Sequence, residues 1–169
     1  MQMVKKILFT LLLLWFALIL FMPKEELYFG MERALAKQGI EINEGTIEEG
    51  VFTLVLKDVS VYVEGVKVAT AKRISLFTLL AYSKVKVEEF RTDSGLRSIF
   101  SLYLEKSVLS HSLLNPMRVY FKARGDIGEV SGDISLREHK ARFIFSDEKK
   151  IRSLKKFLKK DEKGWYYGF

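Results

Sequence analysis

The chain of 169 residues has no cysteine, two prolines and two histidines. The missing cysteine excludes a disulfide scaffold, a thiolate metal site and a cysteine nucleophile. His111 and His139 are isolated, with no carboxylate or second histidine at ligand spacing, which argues against a catalytic or metal-binding role for either. The glycine-rich stretch 125–133, GDIGEVSGD, lacks the Lys-Ser/Thr that a P-loop needs to hold phosphate and metal; it reads as hairpin turns. Ser110 and Ser112 flank His111, but there is no Gly-x-Ser-x-Gly elbow. The pairs Glu25-Glu26, Glu48-Glu49 and Glu88-Glu89 are adjacent residues. Strand neighbours point to opposite faces, so such pairs make no acid/base couple unaided. The expectation is a non-enzymatic protein with no catalytic residue, no cofactor-binding residue, no metal and no cofactor.

Long apolar runs are confined to one place. Ile7 to Met22 is uncharged, with Thr10 its only polar side chain. At ~1.5 Å per residue the run spans roughly 24 Å, slightly less than a ~30 Å hydrocarbon core, and snorkelling lysines can extend it. The composition predicts an amino-terminal tip and transmembrane anchor over residues 1–22, with Ile7, Leu8, Leu11, Leu14, Trp15, Leu18 and Phe21 facing lipid. Two rivals are a cleaved signal peptide and a buried core helix. ALILFM followed by Pro23 offers no pair of small residues for a signal peptidase. The immediate flanks, Lys5 and Lys6 before and Lys24-Glu25-Glu26 after, favour an inside amino end. That places residues 23–169 in the periplasm of a single-pass bacterial inner-membrane protein.

The +7 net charge is uneven. Residues 137–163 hold eleven Lys/Arg and five Asp/Glu, whereas residues 23–136 hold fifteen and sixteen. A basic face with interleaved aromatics across the fold is absent, so no nucleic-acid partner is expected. Ser146-Asp147-Glu148 resembles a helix start, and Ile151, Leu154, Phe157 and Leu158 recur at helical spacing. The spacing predicts a basic amphipathic helix near 147–160. Its lysines Lys155, Lys156, Lys159 and Lys160 either form a solvated face or contact an anionic membrane surface.

The rest of the chain alternates. Lys24 to Gln38 reads as a short helix stopped by Gly39. From Ile40 to Phe145 apolar and polar residues alternate, with turns at Gly45, Glu64-Gly65, Gly125–Gly128 and Arg137–Lys140 and a bend or bulge at Asp58. Within 95–115, Leu96, Ile99, Phe100 and Tyr103 suit a short helix and Val108 to Leu114 a strand. Trp165-Tyr166-Tyr167 reads as a last strand or an interfacial aromatic belt. The fold class is α+β: the anchor, then a β-rich domain with a curved antiparallel sheet, one face apolar and the other charged, and short flanking helices.

Three motifs recur in a familiar order. Gly39, Ile40, Ile42, Gly45 and Ile47 form a GI-x-I-x-x-G-x-I element. Leu56, Asp58, Val59 and Val61 form L-x-D-V-x-V, and Val68, Ala69, Ala71, Ile74 and Leu76 form VA-x-A-x-x-I-x-L. VKVEEFRTD and ARGDIGEVSGDISL follow. This pattern over most of residues 1–136 resembles the type II secretion system protein N family (general secretion pathway protein N) and the amino-terminal unit of AsmA-like proteins. The chain is shorter than either. The resemblance implies an inner-membrane accessory to a secretion apparatus, acting by contact with other envelope proteins. From the AsmA-like side it implies binding or transfer of membrane lipids on an apolar sheet face.

Overall fold

The computed structural model describes residues 2–21, 23–79, 81–96, 101–151, 154–155, 157–162 and 164–169. Two helices come first, α1 (Gln2–Leu20) and α2 (Lys24–Ala36). The strands are β1 (Ile40–Asn43), β2 (Thr46–Glu49), β3 (Thr53–Val63), β4 (Val66–Thr78), β5 (Tyr82–Thr92), β6 (Tyr103–Ser112), β7 (Arg118–Gly125), β8 (Gly128–Ser135), β9 (Lys140–Phe145), β10 (Lys159–Asp161) and β11 (Gly164–Gly168). They form one sheet in the order β1-β3-β4-β5-β6-β7-β8-β9-β11-β10, with β2 also paired to β3. Every pairing is antiparallel. The expected antiparallel sheet is thus present, with the turns at Glu64-Gly65 and Gly125–Gly128 where the sequence puts them. Glu64 and Gly65 both have positive φ, as a tight hairpin turn requires.

Asp58 (φ 53°) and Glu89 (φ 51°) also lie in the left-handed region. Asp58 faces Lys72 between the pairs Lys57↔Arg73 and Val59↔Ala71. Glu89 faces Glu105 between Glu88↔Lys106 and Phe90↔Leu104. One extra residue therefore sits at the same level on four neighbouring strands, a crease of aligned bulges. It explains a change of parity in the sequence. Apolar residues are even-numbered before the crease in β3 (Leu54, Leu56) and odd-numbered after it (Val59, Val61); β4 switches from Leu76 and Ile74 to Ala71 and Ala69.

α2 starts with Glu25 and Glu26 in its first turn, which suits the positive helix end, and Gly39 (φ 74°) turns the chain into β1. Tyr28 of α2 is buried with Leu54, Leu56, Val59 and Ala71, and Ile42, Ile47, Ile74, Leu76, Val87 and Phe90 pack around them.

Three expectations are corrected. First, among the described residues no helix is long and apolar enough to cross a membrane. α1 has 19 residues, but Gln2, Lys5 and Lys6 occupy its first turns. The apolar part, Ile7 to Leu20, rises only roughly 21 Å against a ~30 Å core. The transmembrane anchor formed by Ile7, Leu8, Leu11, Leu14, Trp15, Leu18 and Phe21 is therefore not supported. The single-pass inner-membrane location and the periplasmic placement that followed from it fall too. Most described side chains of α1 are nonetheless exposed, from Met3 (77%) to Trp15 (41%), with Ala17 half-buried.

Second, the basic helix near 147–160 is absent from the described residues there. They form successive turns rather than a continuous helix, with Lys150 N–H on the Asp147 carbonyl (3.3 Å), Leu154 and Lys155 N–H both on the Ile151 carbonyl (2.9 and 3.0 Å) and Phe157 N–H on the Leu154 carbonyl (2.9 Å), and Lys159 and Lys160 begin β10. A helix cannot run on to residue 160, because Lys159–Asp161 pair with the edge of β11 and satisfy its backbone groups. Third, Tyr103 opens β6 rather than ending a helix. A single 3-10 turn covers Ser94–Leu96, and Ile99 and Phe100 lie outside the described residues. Trp165-Tyr166-Tyr167 does form the last strand, paired to β9.

Leu56 is 2% exposed at the centre of the α2–sheet core. Leu56→Ala should cost about 2–5 kcal/mol, read as a shift of the denaturant midpoint at unchanged slope.

Candidate functional site: an apolar track across the sheet

In an antiparallel sheet the side chains of directly opposed residues stand on the same face. Tracing such partners gives one row from β3 to β11: Leu54, Leu76, Val85, Leu109, Phe121, Gly132, Phe143 and Trp165. The row crosses eight strands, roughly 34 Å at ~4.8 Å per strand. A second row beside it runs Leu56, Ile74, Val87, Ser107, Ala123, Val130 and Phe145. Together they make an apolar track perpendicular to the strands.

The track changes character along its length. At β3 and β4 it runs under α2. There Leu27, Tyr28 and Met31 of the helix and Phe52, Leu54 and Leu76 of the sheet line a cleft of about 210 Å³. Lys24 is nearly buried at its rim, 3.3 Å from Glu49 Oε1. The Tyr28 hydroxyl donates to Glu44 Oε2 (2.8 Å). Burial first, and then this bond, push the phenol above its ordinary range, so Tyr28 stays neutral.

From β5 to β7 the track is less covered, although Val87 still packs against the core under α2 and Val130 of β8 is buried. Val85, Val87, Leu109, Phe121 and Ala123 are only half-buried. The Phe121 ring lies over Gly132, where an added Cβ would meet Phe121 Cζ at 2.8 Å and also strike the Arg142 carbonyl. Phe121 is tilted against Phe143 at 5.4 Å, and Phe143 stacks on Phe145 at 5.9 Å.

Ile151, in the turn residues before β10, is fully buried (0%). The ammonium groups of Lys155 and Lys160 stand 5.5 Å and 5.2 Å from the centroid of the Trp165 ring. Glu148 Oε1 takes the Lys160 ammonium at 3.0 Å, and that hydrogen bond above all holds the Glu148 carboxyl below its ordinary range. Of the four lysines singled out in the sequence, the fold thus brings Lys155 and Lys160 together on one indole. Lys159 opposes Tyr166 on the other face, and Lys156 lies outside the described residues.

The opposite face of the sheet is charged, as alternation requires. Lys57, Arg73, Glu88, Lys106, Arg124 and Glu129 oppose one another across it. Lys57 pairs with Glu48, Lys86 with Glu88 and Arg124 with Glu129. These bonds pull the Glu48 and Glu88 carboxyls down and the Arg124 guanidinium up. Glu49 and Glu89 turn instead to Lys24 and Lys72, and Arg91 also approaches Glu89 at 4.0 Å. An open groove of about 730 Å³ on this face is lined by Lys106, Val108, Lys122, Arg124, Glu129 and Ile144.

The histidines are apart. His111 Nε2 donates to the Pro116 carbonyl at 3.0 Å, and His139 meets Phe169 edge-on at 5.8 Å. No cluster of three metal-ligating side chains occurs among the described residues. The cleft under α2 and the lysine–tryptophan cluster are features that sequence reasoning missed. The parity switch at Asp58 and Glu89 was the available signal for the crease, but not for the cluster, whose members meet only through strand pairing.

No family model, curated protein or solved structure matches this chain.

Gly132→Ala places a methyl against Phe121 and the Arg142 carbonyl. It should destabilise by about 1–3 kcal/mol, and Phe121→Ala in the same chain should relieve part of the loss. A thermal-melting double-mutant cycle measures both.

Proposed function

We propose that this chain is a non-enzymatic lipid-binding protein that lays an acyl chain along the apolar track. The observation that carries this reading is the row from Leu54 to Trp165. It is continuous over eight strands, and its side chains on β5, β6 and β7, Val85, Leu109 and Phe121, are only half-buried. A core needs a partner layer to exclude water, and a largely apolar stripe left half-buried on a sheet face is where an apolar ligand gains most. Burying about ten methylenes gains roughly 8 kcal/mol before the costs of immobilisation. This agrees with the lipid handling implied by the resemblance to AsmA-like proteins.

The test is direct. The purified full chain should co-extract lipid at a fixed molar ratio, seen by native mass spectrometry and by lipid analysis of the denatured protein. A lipid-free preparation that also takes up no added fatty acid or phospholipid would sink the reading. Leu109→Glu, at the centre of the half-buried part, should lower acyl-chain affinity by at least tenfold, about 1.4 kcal/mol. Its secondary structure should be retained.

A second reading, an accessory of a secretion apparatus that acts by contact with other proteins, is favoured by the open sheet edges. β2 and β10 each pair on one side only, and such an edge can accept a strand from a partner. Photo-crosslinkers at Glu48 and Lys160 should then trap a secretion component in cells. Capture of none, with the encoding genes in an unrelated neighbourhood, would count against it.

A further inference from the structure

The two ends of the track differ in chemistry, and the difference fixes which way round a ligand lies. Resting on the lipid-binding reading, we infer that the ligand carries an anionic head held at Lys155, Lys160 and Trp165, with its tail running toward α2.

The α2 end is built for a tail. Its cleft is walled by Leu27, Met31, Phe52, Leu54 and Leu76, and the one cation at the rim, Lys24, is already engaged by Glu49. The β11 end is built for a charge. Lys160 belongs to β10, in register with Trp165. Lys155 arrives from the described turn residues that precede β10. Both ammonium groups approach the same ring. Two cations beside one indole repel each other, and a single carboxylate, Glu148, is hydrogen-bonded to Lys160. One positive charge is left over at the point where the apolar track ends. A phosphate or carboxylate there gains charge-assisted hydrogen bonds from two donors. The ring beneath holds the ammonium groups in place through its negative face. A choline head would bring a third cation to the same spot.

The geometry agrees. Trp165 shares its row with Phe143, Gly132, Phe121, Leu109 and Val85, so a tail leaving a head at Trp165 has roughly 24 Å of apolar track before it meets the strands under α2. Phe143 and Phe121 are the first rings it crosses.

The shared chemistry is an acyl chain on an anionic head, and both a phospholipid and a free fatty acid offer it. The chain contains two tryptophans. The experiment uses the full chain with Trp15→Phe, which leaves Trp165 as the sole indole reporter. Three probes are titrated from mixed micelles: phosphatidylglycerol, phosphatidylcholine and a long-chain fatty acid. Each is brominated either near the head or near the methyl end of the chain. Bromines near the head should quench Trp165 at least twofold more than terminal ones. Phosphatidylglycerol or the fatty acid should bind about tenfold tighter than phosphatidylcholine, and whichever of the two is tighter identifies the source. Lys155→Gln, which leaves the Lys160–Glu148 bridge in place, should reduce that preference, and Lys155→Glu with Lys160→Glu should abolish it while phosphatidylcholine binding persists. Equal affinity for the two head groups, or stronger quenching by terminal bromines, overturns the inference while leaving lipid binding intact. Absence of binding by all three probes overturns the lipid-binding reading itself.

Discussion

The sheet depends on one geometric constraint: side chains alternate between its faces, so every strand must keep register with its neighbours or present the wrong set to the wrong side. Eight strands satisfy this at once along the row from Leu54 to Trp165. The crease at Asp58, Lys72, Glu89 and Glu105 shows how strictly it holds. An extra residue in one strand alone would turn half of that strand inside out. Four neighbouring strands take the extra residue at the same level, so the faces agree on both sides of the crease. Lys72 and Glu89 join across it at 3.0 Å.

Everything else follows from having an apolar face to cover. α2 covers the first strands, and Tyr28 can be buried there because Glu44 receives its hydroxyl. Among the described turn residues before β10, Ile151 is buried and Lys155 stands over Trp165 of the last strand. The middle is left to its own half-buried side chains. On the reverse face glutamates interrupt the lysines and arginines across the strands, one after each pair of cations, so that surface stays in water without building one large field of a single sign.

Much of this was legible beforehand. Alternation located the strands, Glu64-Gly65 located a hairpin, and Asp58 was a foreseeable bulge because it separates two apolar sets of opposite parity. The failures have physical causes. Composition alone proposes a membrane span at Ile7–Met22, but span is set by the length of uninterrupted apolar helix, and Lys5 and Lys6 take up part of α1 while the helix ends at Leu20. The lysine-rich segment has helical spacing, yet spacing is silent about β11, whose open edge recruits Lys159–Asp161. The track was half visible: an apolar face could be inferred, but not its order, because Phe143 and Trp165 become neighbours only when β11 inserts between β9 and β10.

From β3 to β9 each strand pairs with the one before it in the chain. Most long-range order is therefore assembled from successive local hairpins, which keeps contact order low for a sheet of this width. It also makes the sheet a ruler. Inserting or deleting one hairpin in the β5–β8 region would lengthen or shorten the apolar path by about 10 Å. The helix-capped beginning and the lysine–tryptophan end would be untouched. Selection could thus tune chain length in a cargo by counting strands, with no need to redesign either terminus.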